Sequence, residues 1–185
     1  MFQLIVFCLL PLCISCAISW EDCGKADRSL VFRKLNFKRE NLVIDGRSPI
    51  EFGIDFSLLD PMVKEVTMSS ELRRHFNIFG YKNSVLLPCI NDVGSCSNNF
   101  CHMVASNAIF ARAVATQLKV PFDCLMKSGR YAGHVTYPVP LDGFKPLLSA
   151  FSWAASGNYE LIVRWYLEGA EIGCLALSAD LQIDL

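Results

Sequence analysis

The chain has 185 residues, of which 52% are hydrophobic and 13 are Phe, and it carries a formal net charge of −1. With no basic block, it is excluded as an electrostatic binder of nucleic acid, whose phosphate backbone demands clustered Lys and Arg. Apolarity on this scale requires either a large core or a cavity that holds something apolar.

Residues 1–17 are rich in Phe, Leu, Ile and Val and end at Ser15-Cys16-Ala17, where small residues suit signal peptidase. This predicts a signal peptide over 1–17, with cleavage near Ala17, and one domain over 18–185. Lys and Arg, which signal peptides usually carry near their start, are missing. A membrane anchor is the competing reading, although the run falls short of the roughly 20 residues of a span. The remaining 168 residues or so suffice for one domain with a real core.

The first strand candidate covers 30–37, and the next is the clearest in the chain. Ile50, Phe52, Ile54, Phe56 and Leu58 interleave with Glu51, Gly53, Asp55 and Ser57, the period of two expected of a half-buried strand. Further strands are predicted over 63–68, 84–87 and 131–137. Val104, Ala108, Ala111, Ala115 and Leu118 recur at helical spacing, so one short helix is predicted over 104–119, ending before Pro121. Alternation returns at Tyr159, Leu161, Val163, Trp165 and Leu167. Glu168-Gly169-Ala170-Glu171 then reads as a hairpin connection into a strand over 172–181. The pattern predicts a mostly β fold, two antiparallel sheets forming a sandwich or cup with one short helix. There is no internal repeat, no second domain and no Asn-x-Ser/Thr sequon.

Of nine cysteines, Cys8, Cys13 and Cys16 fall in the leader and six remain. An even count in an exported chain favours disulfides, of which six Cys allow 15 arrangements. Cys89 and Cys96 flank a short turn. Cys23 and Cys174 lie near the two ends of the domain, where a bridge closes a long loop worth roughly 5 kcal/mol, against about 2.5 kcal/mol for the short one. Cys101 and Cys124 are then left for each other.

Bond-making chemistry is sought among the same residues and not found. His75, His102 and His134 lie on separate predicted elements, and Gly94-Ser95-Cys96-Ser97 lacks the Gly-x-Ser-x-Gly of a nucleophile elbow. Cys96, Cys101, His102 and Cys124 match zinc in composition, but their spacing is not that of a usual structural site. The chain is therefore expected to be no enzyme, with no catalytic residue, no metal and no cofactor. Two apolar stretches invite a different role. Leu147, Leu148, Phe151 and Trp153 stand among small residues, and His75 to Tyr81 places Phe76, Ile78 and Phe79 between Arg73, Arg74 and Lys82. Either stretch can cap the core; exposed, either suits the interfacial zone of a bilayer, with basic flanks worth about 1 kcal/mol per well-placed charge on anionic lipid.

Ser19-Trp20 with Cys23, Leu87-Pro88-Cys89, Gly94-Ser95-Cys96, Phe100-Cys101, Cys124 followed by Lys127-Ser128-Gly129-Arg130-Tyr131, and Gly157-Asn158-Tyr159 leading to Gly173-Cys174 together resemble the ganglioside GM2 activator family, within the wider ML-domain lipid-recognition group. The resemblance spans nearly the whole domain. It implies a β-cup of two splayed, immunoglobulin-like sheets that hold acyl chains, with apolar loops at the rim, and the pairing Cys23–Cys174, Cys89–Cys96 and Cys101–Cys124. One bridge of the activator is missing, since 114–122 supplies no cysteine. The sterol-carrying branch has an early pair of closely spaced cysteines, which nothing between Cys23 and Cys89 matches.

What the resemblance implies is a secreted or lysosomal protein that extracts a glycosphingolipid or phospholipid from a membrane and presents it. In the activator's case the recipient is a separate lysosomal glycosidase such as a β-hexosaminidase. Phe52, Ile54, Phe56, Leu161, Val163 and Trp165 are the expected cavity lining, although either face of these strands could point inward. Phe76, Ile78, Phe79, Leu147, Leu148, Phe151 and Trp153 are the expected membrane rim. Two alternatives stay open: a lipid-displaying recognition or signalling protein for a receptor, and a lipid-acting hydrolase.

Overall fold

The computed structural model describes residues 18–62, 65–120, 124–139 and 156–183, with the backbone alone at Ile78. Its strands are β1 (Ser19–Asp22), β2 (Leu30–Phe37), β3 (Leu42–Ile44), β4 (Pro49–Leu58), β5 (Val66–Ile78), β6 (Tyr81–Leu86), β7 (Ser97–Asn99), β8 (Gly129–Pro138), β9 (Gly157–Leu167) and β10 (Ala170–Ile183). Between β7 and β8 lie the helices α1 (Phe100–Ser106) and α2 (Ala108–Leu118).

Two sheets result. The larger runs β1-β10-β9-β5-β6, with β3 pairing β10 and β7 pairing β5; the smaller is β2-β4-β8. Every pairing is antiparallel except β3 with β10. The β9–β10 hairpin turns at Glu168-Gly169, both at positive φ (51° and 81°), as a two-residue hairpin turn requires.

The strand predicted over 63–68 is much longer, because β5 continues to Ile78 along β9 and then β6. Its polar run Ser69-Ser70-Glu71 conceals the pattern. Ser70 faces inward, yet its hydroxyl is satisfied: it donates to the Gly94 carbonyl at 2.8 Å and accepts from the Cys96 amide at 3.1 Å. The single predicted helix is two, joined at Asn107, which leaves the helical region (φ −108°, ψ 39°) and donates its side-chain amide to the Met103 carbonyl at 3.1 Å. Asn99 caps α1 by accepting from the Cys101 amide at 2.8 Å.

Disulfides join Cys23 to Cys174, Cys89 to Cys96 and Cys101 to Cys124. The last brackets both helices. Below them, Leu30, Phe32, Phe56, Leu58, Met62, Val66, Leu118 and Ile172 form the main core. There the two sheets touch, with the Phe32 and Trp165 rings 5.5 Å apart. At the opposite end Ile44, Val139 and Ile183 close a second, smaller cluster. No helix among the described residues is long and apolar enough to cross a membrane.

Candidate functional site: an apolar cavity between the sheets

The inner side chains of a close-packed sandwich are almost wholly buried. Here they are not. Along β9, Leu161, Val163 and Trp165 face inward but remain only half-buried, and Leu177 and Leu181 of β10 do the same. Between the two clusters the sheets fail to meet and enclose a cavity of about 590 Å³. That is mid-range for small-ligand sites of about 300–1,000 Å³.

Three walls come from sequence-distant elements. The large sheet supplies Met68, Ser70 and Leu72 of β5, Leu161, Val163 and Trp165 of β9, and Leu177, Ala179 and Leu181 of β10. The small sheet supplies Phe56. The helices supply Phe100, Met103, Val104, Phe110, Ala111, Val114, Ala115 and Leu118, an apolar stripe turned toward the sheets. Gly133 lets α2 lie directly on β8: a Cβ there would stand 2.9 Å from both the Gln117 carbonyl oxygen and Leu118 Cδ2.

Asn107 and Phe110 are the lining residues that are themselves exposed, so the wall reaches the surface at the α1–α2 junction. Asp92 also lines the cavity; its Oδ1 accepts from Asn98 Nδ2 at 2.8 Å and its Oδ2 lies 3.5 Å from His102 Nε2 of α1. Asn91 and Asp92 are both left-handed (φ 51° and 62°) in a two-residue turn closed by paired Ile90–Val93 hydrogen bonds of 2.8 and 3.0 Å. Deeper in, burial pushes the Tyr159 phenol above its ordinary value, against a smaller downward pull from Arg74, so it stays uncharged.

No family model and no curated protein matches the sequence. Among solved structures, a Niemann-Pick type C2 protein from Japanese carpenter ant matches with a TM-score of 0.44 and 13% identity, over 89% of this chain and 99% of that one. So distant a likeness bears on neither ligand nor activity.

Of the residues predicted to line a cavity, Phe56, Leu161, Val163 and Trp165 do so. Phe52 and Ile54 share the Phe56 face of β4 but lie away from the wall: Phe52 meets the Phe37 ring at a tilt, 5.5 Å between centroids, and Ile54 packs on the main core. Residues on α1, α2 and β10 were not anticipated as lining. The helical spacing of Ala111, Ala115 and Leu118 was the available signal, since a stripe of that kind must cover something.

The predicted rim divides. Leu147, Leu148, Phe151 and Trp153 lie outside the described residues, although the flanks of that segment, Val139 and Ser156, stand where β8 ends and β9 begins. The stretch from His75 to Tyr81 is not an open loop but the closed end of the β5–β6 hairpin, so Phe76 is a half-buried strand residue paired with Asn83. Ile78 ends β5. Only the tip protrudes: Phe79 is 97% exposed and left-handed (φ 50°), followed by Gly80 (φ 87°) and exposed Tyr81. Arg73 is paired with Glu71 at 3.2 Å and Arg74 donates to the Ser156 carbonyl at 2.8 Å, so two of the three basic flanks are already engaged.

His75, His102 and His134 are each near a different carboxylate, those of Glu160, Asp92 and Glu51, and are not brought together. Ser95 pins its loop to β5, its hydroxyl accepting from the Leu72 amide at 3.0 Å. Cys96, Cys101 and Cys124 are bridged.

Proposed function

We propose that this chain is a lipid-binding and transfer protein, which takes a glycosphingolipid or phospholipid from a membrane, shelters its hydrocarbon between the sheets and presents it to an enzyme or a second membrane. The observation that carries this reading is the partial exposure of inward-facing Leu161, Val163, Trp165 and Leu177 around a cavity of about 590 Å³. At the ~30 Å³ that one water occupies in the liquid, such a space accepts roughly twenty methylene-sized groups, the scale of one long acyl chain. Each methylene gains about 0.8 kcal/mol on leaving water, so a tail moves from bilayer to protein at little net change only where the walls are as apolar as the bilayer. These walls are.

Membrane contact falls to Phe79, with Ile109 (65% exposed) and Phe110 on the first turn of α2, toward the same end of the sandwich. Phe110 also lines the cavity and edges Tyr137 at 4.9 Å, which makes it a step between bilayer and interior. A bulky aromatic at a left-handed turn position, fully exposed, works against both backbone preference and solvation; an interfacial anchor accounts for it. The finer assignment, an activator-type carrier with a signal peptide over 1–17, a secreted or lysosomal location and a glycosidase as recipient, follows the family resemblance of the cysteine motifs. No bond chemistry is assigned to the chain itself.

The test is transfer of fluorescent glycosphingolipid and phospholipid between donor and acceptor vesicles by purified protein at neutral and acidic pH. Transfer proportional to protein concentration is expected. Its absence for every lipid class tried would remove the proposal.

A further inference from the structure

Where the cavity reaches the surface, its chemistry is one-sided. Asp92 is the only acidic or basic side chain in the lining, and no Lys, Arg or His joins it among the described residues. Beside it, Asn107 commits one of its two amide hydrogens to the Met103 carbonyl, which leaves its side-chain oxygen and a single N–H to offer a guest. A carboxylate accepts about four hydrogen bonds, and Asn98 makes one here at 2.8 Å, with His102 at a longer 3.5 Å. The one full charge that the mouth presents is therefore an acceptor.

Resting on the carrier reading above, we infer that this mouth selects lipids whose head or linkage is uncharged and donates hydrogen bonds, hydroxyl or amide N–H, and rejects a phosphate or carboxylate seated at the same place. A hydroxyl finds Asp92 and Asn107 as partners. A phosphate oxygen finds another negative oxygen, with no Lys or Arg in the lining to offset it and the His102 imidazole already turned to Asp92. Mismatch of this kind discriminates strongly, because it combines like-charge repulsion with polar groups left unpaired.

The acceptors are also held in place. Asp92 sits in a two-residue turn with both φ values positive, the Cys89–Cys96 bridge closes the loop around it, and the Ser70 and Ser95 hydroxyls tie that loop to β5. Asn107 is fixed as the junction between α1 and α2. A guest must meet this pair as it stands, since the backbone carrying it is pinned from both sides.

The experiment uses the delipidated full domain at neutral pH and phosphatidylcholine vesicles carrying either a monohexosylceramide or a phosphatidic acid of matched chains. Uptake is counted by native mass spectrometry. The wild type should favour the monohexosylceramide by roughly tenfold or more, and Asp92→Asn should bring the two within about threefold by gaining phosphatidic acid. Asn is at home in a left-handed turn, so the fold should persist, as a thermal melt would show. Equal uptake of both lipids by the wild type, or an unchanged preference in a folded Asp92→Asn, overturns the inference and leaves the carrier reading standing. Uptake of neither lipid overturns both.

Discussion

Ala179→Leu tests whether the space between the sheets is hollow, because the sign of its effect on stability depends on the answer. Ala179 lies on the inner face of β10 opposite Tyr159, is 5% exposed and lines the cavity. Leu adds three carbons. If they enter a hollow, they gain about 2.4 kcal/mol at ~0.8 kcal/mol each, less about 0.5–1 kcal/mol of rotamer freedom, a net stabilisation near 1.5 kcal/mol. If the interior is already filled, the same carbons overpack it and cost about 1–3 kcal/mol. A domain of this size shifts its melting temperature by about 2–4 °C per kcal/mol, so the outcomes separate by many degrees. The measurement is denaturant or thermal unfolding of delipidated protein, since bound lipid would itself raise stability. Combined with Ala111→Leu, six carbons occupy roughly a third of the twenty-group space, and tail uptake should fall in step. Destabilisation by both substitutions with undiminished lipid transfer would refute the hollow and put the cargo's tail somewhere other than this space.

Two further predictions concern the surface. Phe79→Asn should raise stability by several tenths of a kcal/mol or more, because Asn tolerates the left-handed turn that Phe occupies under strain, while vesicle binding in a flotation assay falls roughly tenfold or more with the loss of a buried aromatic; equal binding by the variant would dissociate the hairpin tip from the membrane. Asp45 has its carboxyl held down to about 2 by hydrogen bonds from the Ser48 and Arg47 amides and the Ser48 hydroxyl. A depressed acid contributes stability that is complete above its unfolded value of 3.8 and lost only as pH falls through about 2. The turn should thus stay closed throughout mild acid, and an NMR titration of Asp45 with a midpoint near 4 would contradict this.

Much of the architecture was legible because it obeys a period of two. β4 and β9 alternate large apolar residues with polar ones over ten and eleven residues, and their hairpin partners follow from turn residues. β1, β3 and β7 escaped notice: three or four residues are too few to establish a period, and these strands exist because an edge of β10 or β5 offers them hydrogen bonds. The break at Asn107 was equally hidden, since the apolar stripe runs through it from Val104 to Leu118 and only the Met103 carbonyl, capped by the Asn side chain, marks the interruption.

The site was legible in kind more than in detail. That a greasy sheet protein keeps room for hydrocarbon could be argued from composition and strand faces, and the β9 residues proposed as lining do face the cavity. Phe52 and Ile54 did not follow, because a strand's inner face passes from cavity to solid packing within a few residues, and that transition is set by the partner layer. Neither Asp92 nor Asn107 could be chosen from the sequence, since what unites them is a meeting of a hairpin turn and a helix junction brought together by folding.

Cys101 stands at the start of α1 and Cys124 lies beyond the end of α2, so the helical wall is a closed ring of chain hanging from one bridge. Among its described residues, neither sheet contributes a ladder hydrogen bond to that ring. Reducing the bridge would therefore lengthen the tether of this wall while leaving every strand of the frame zipped.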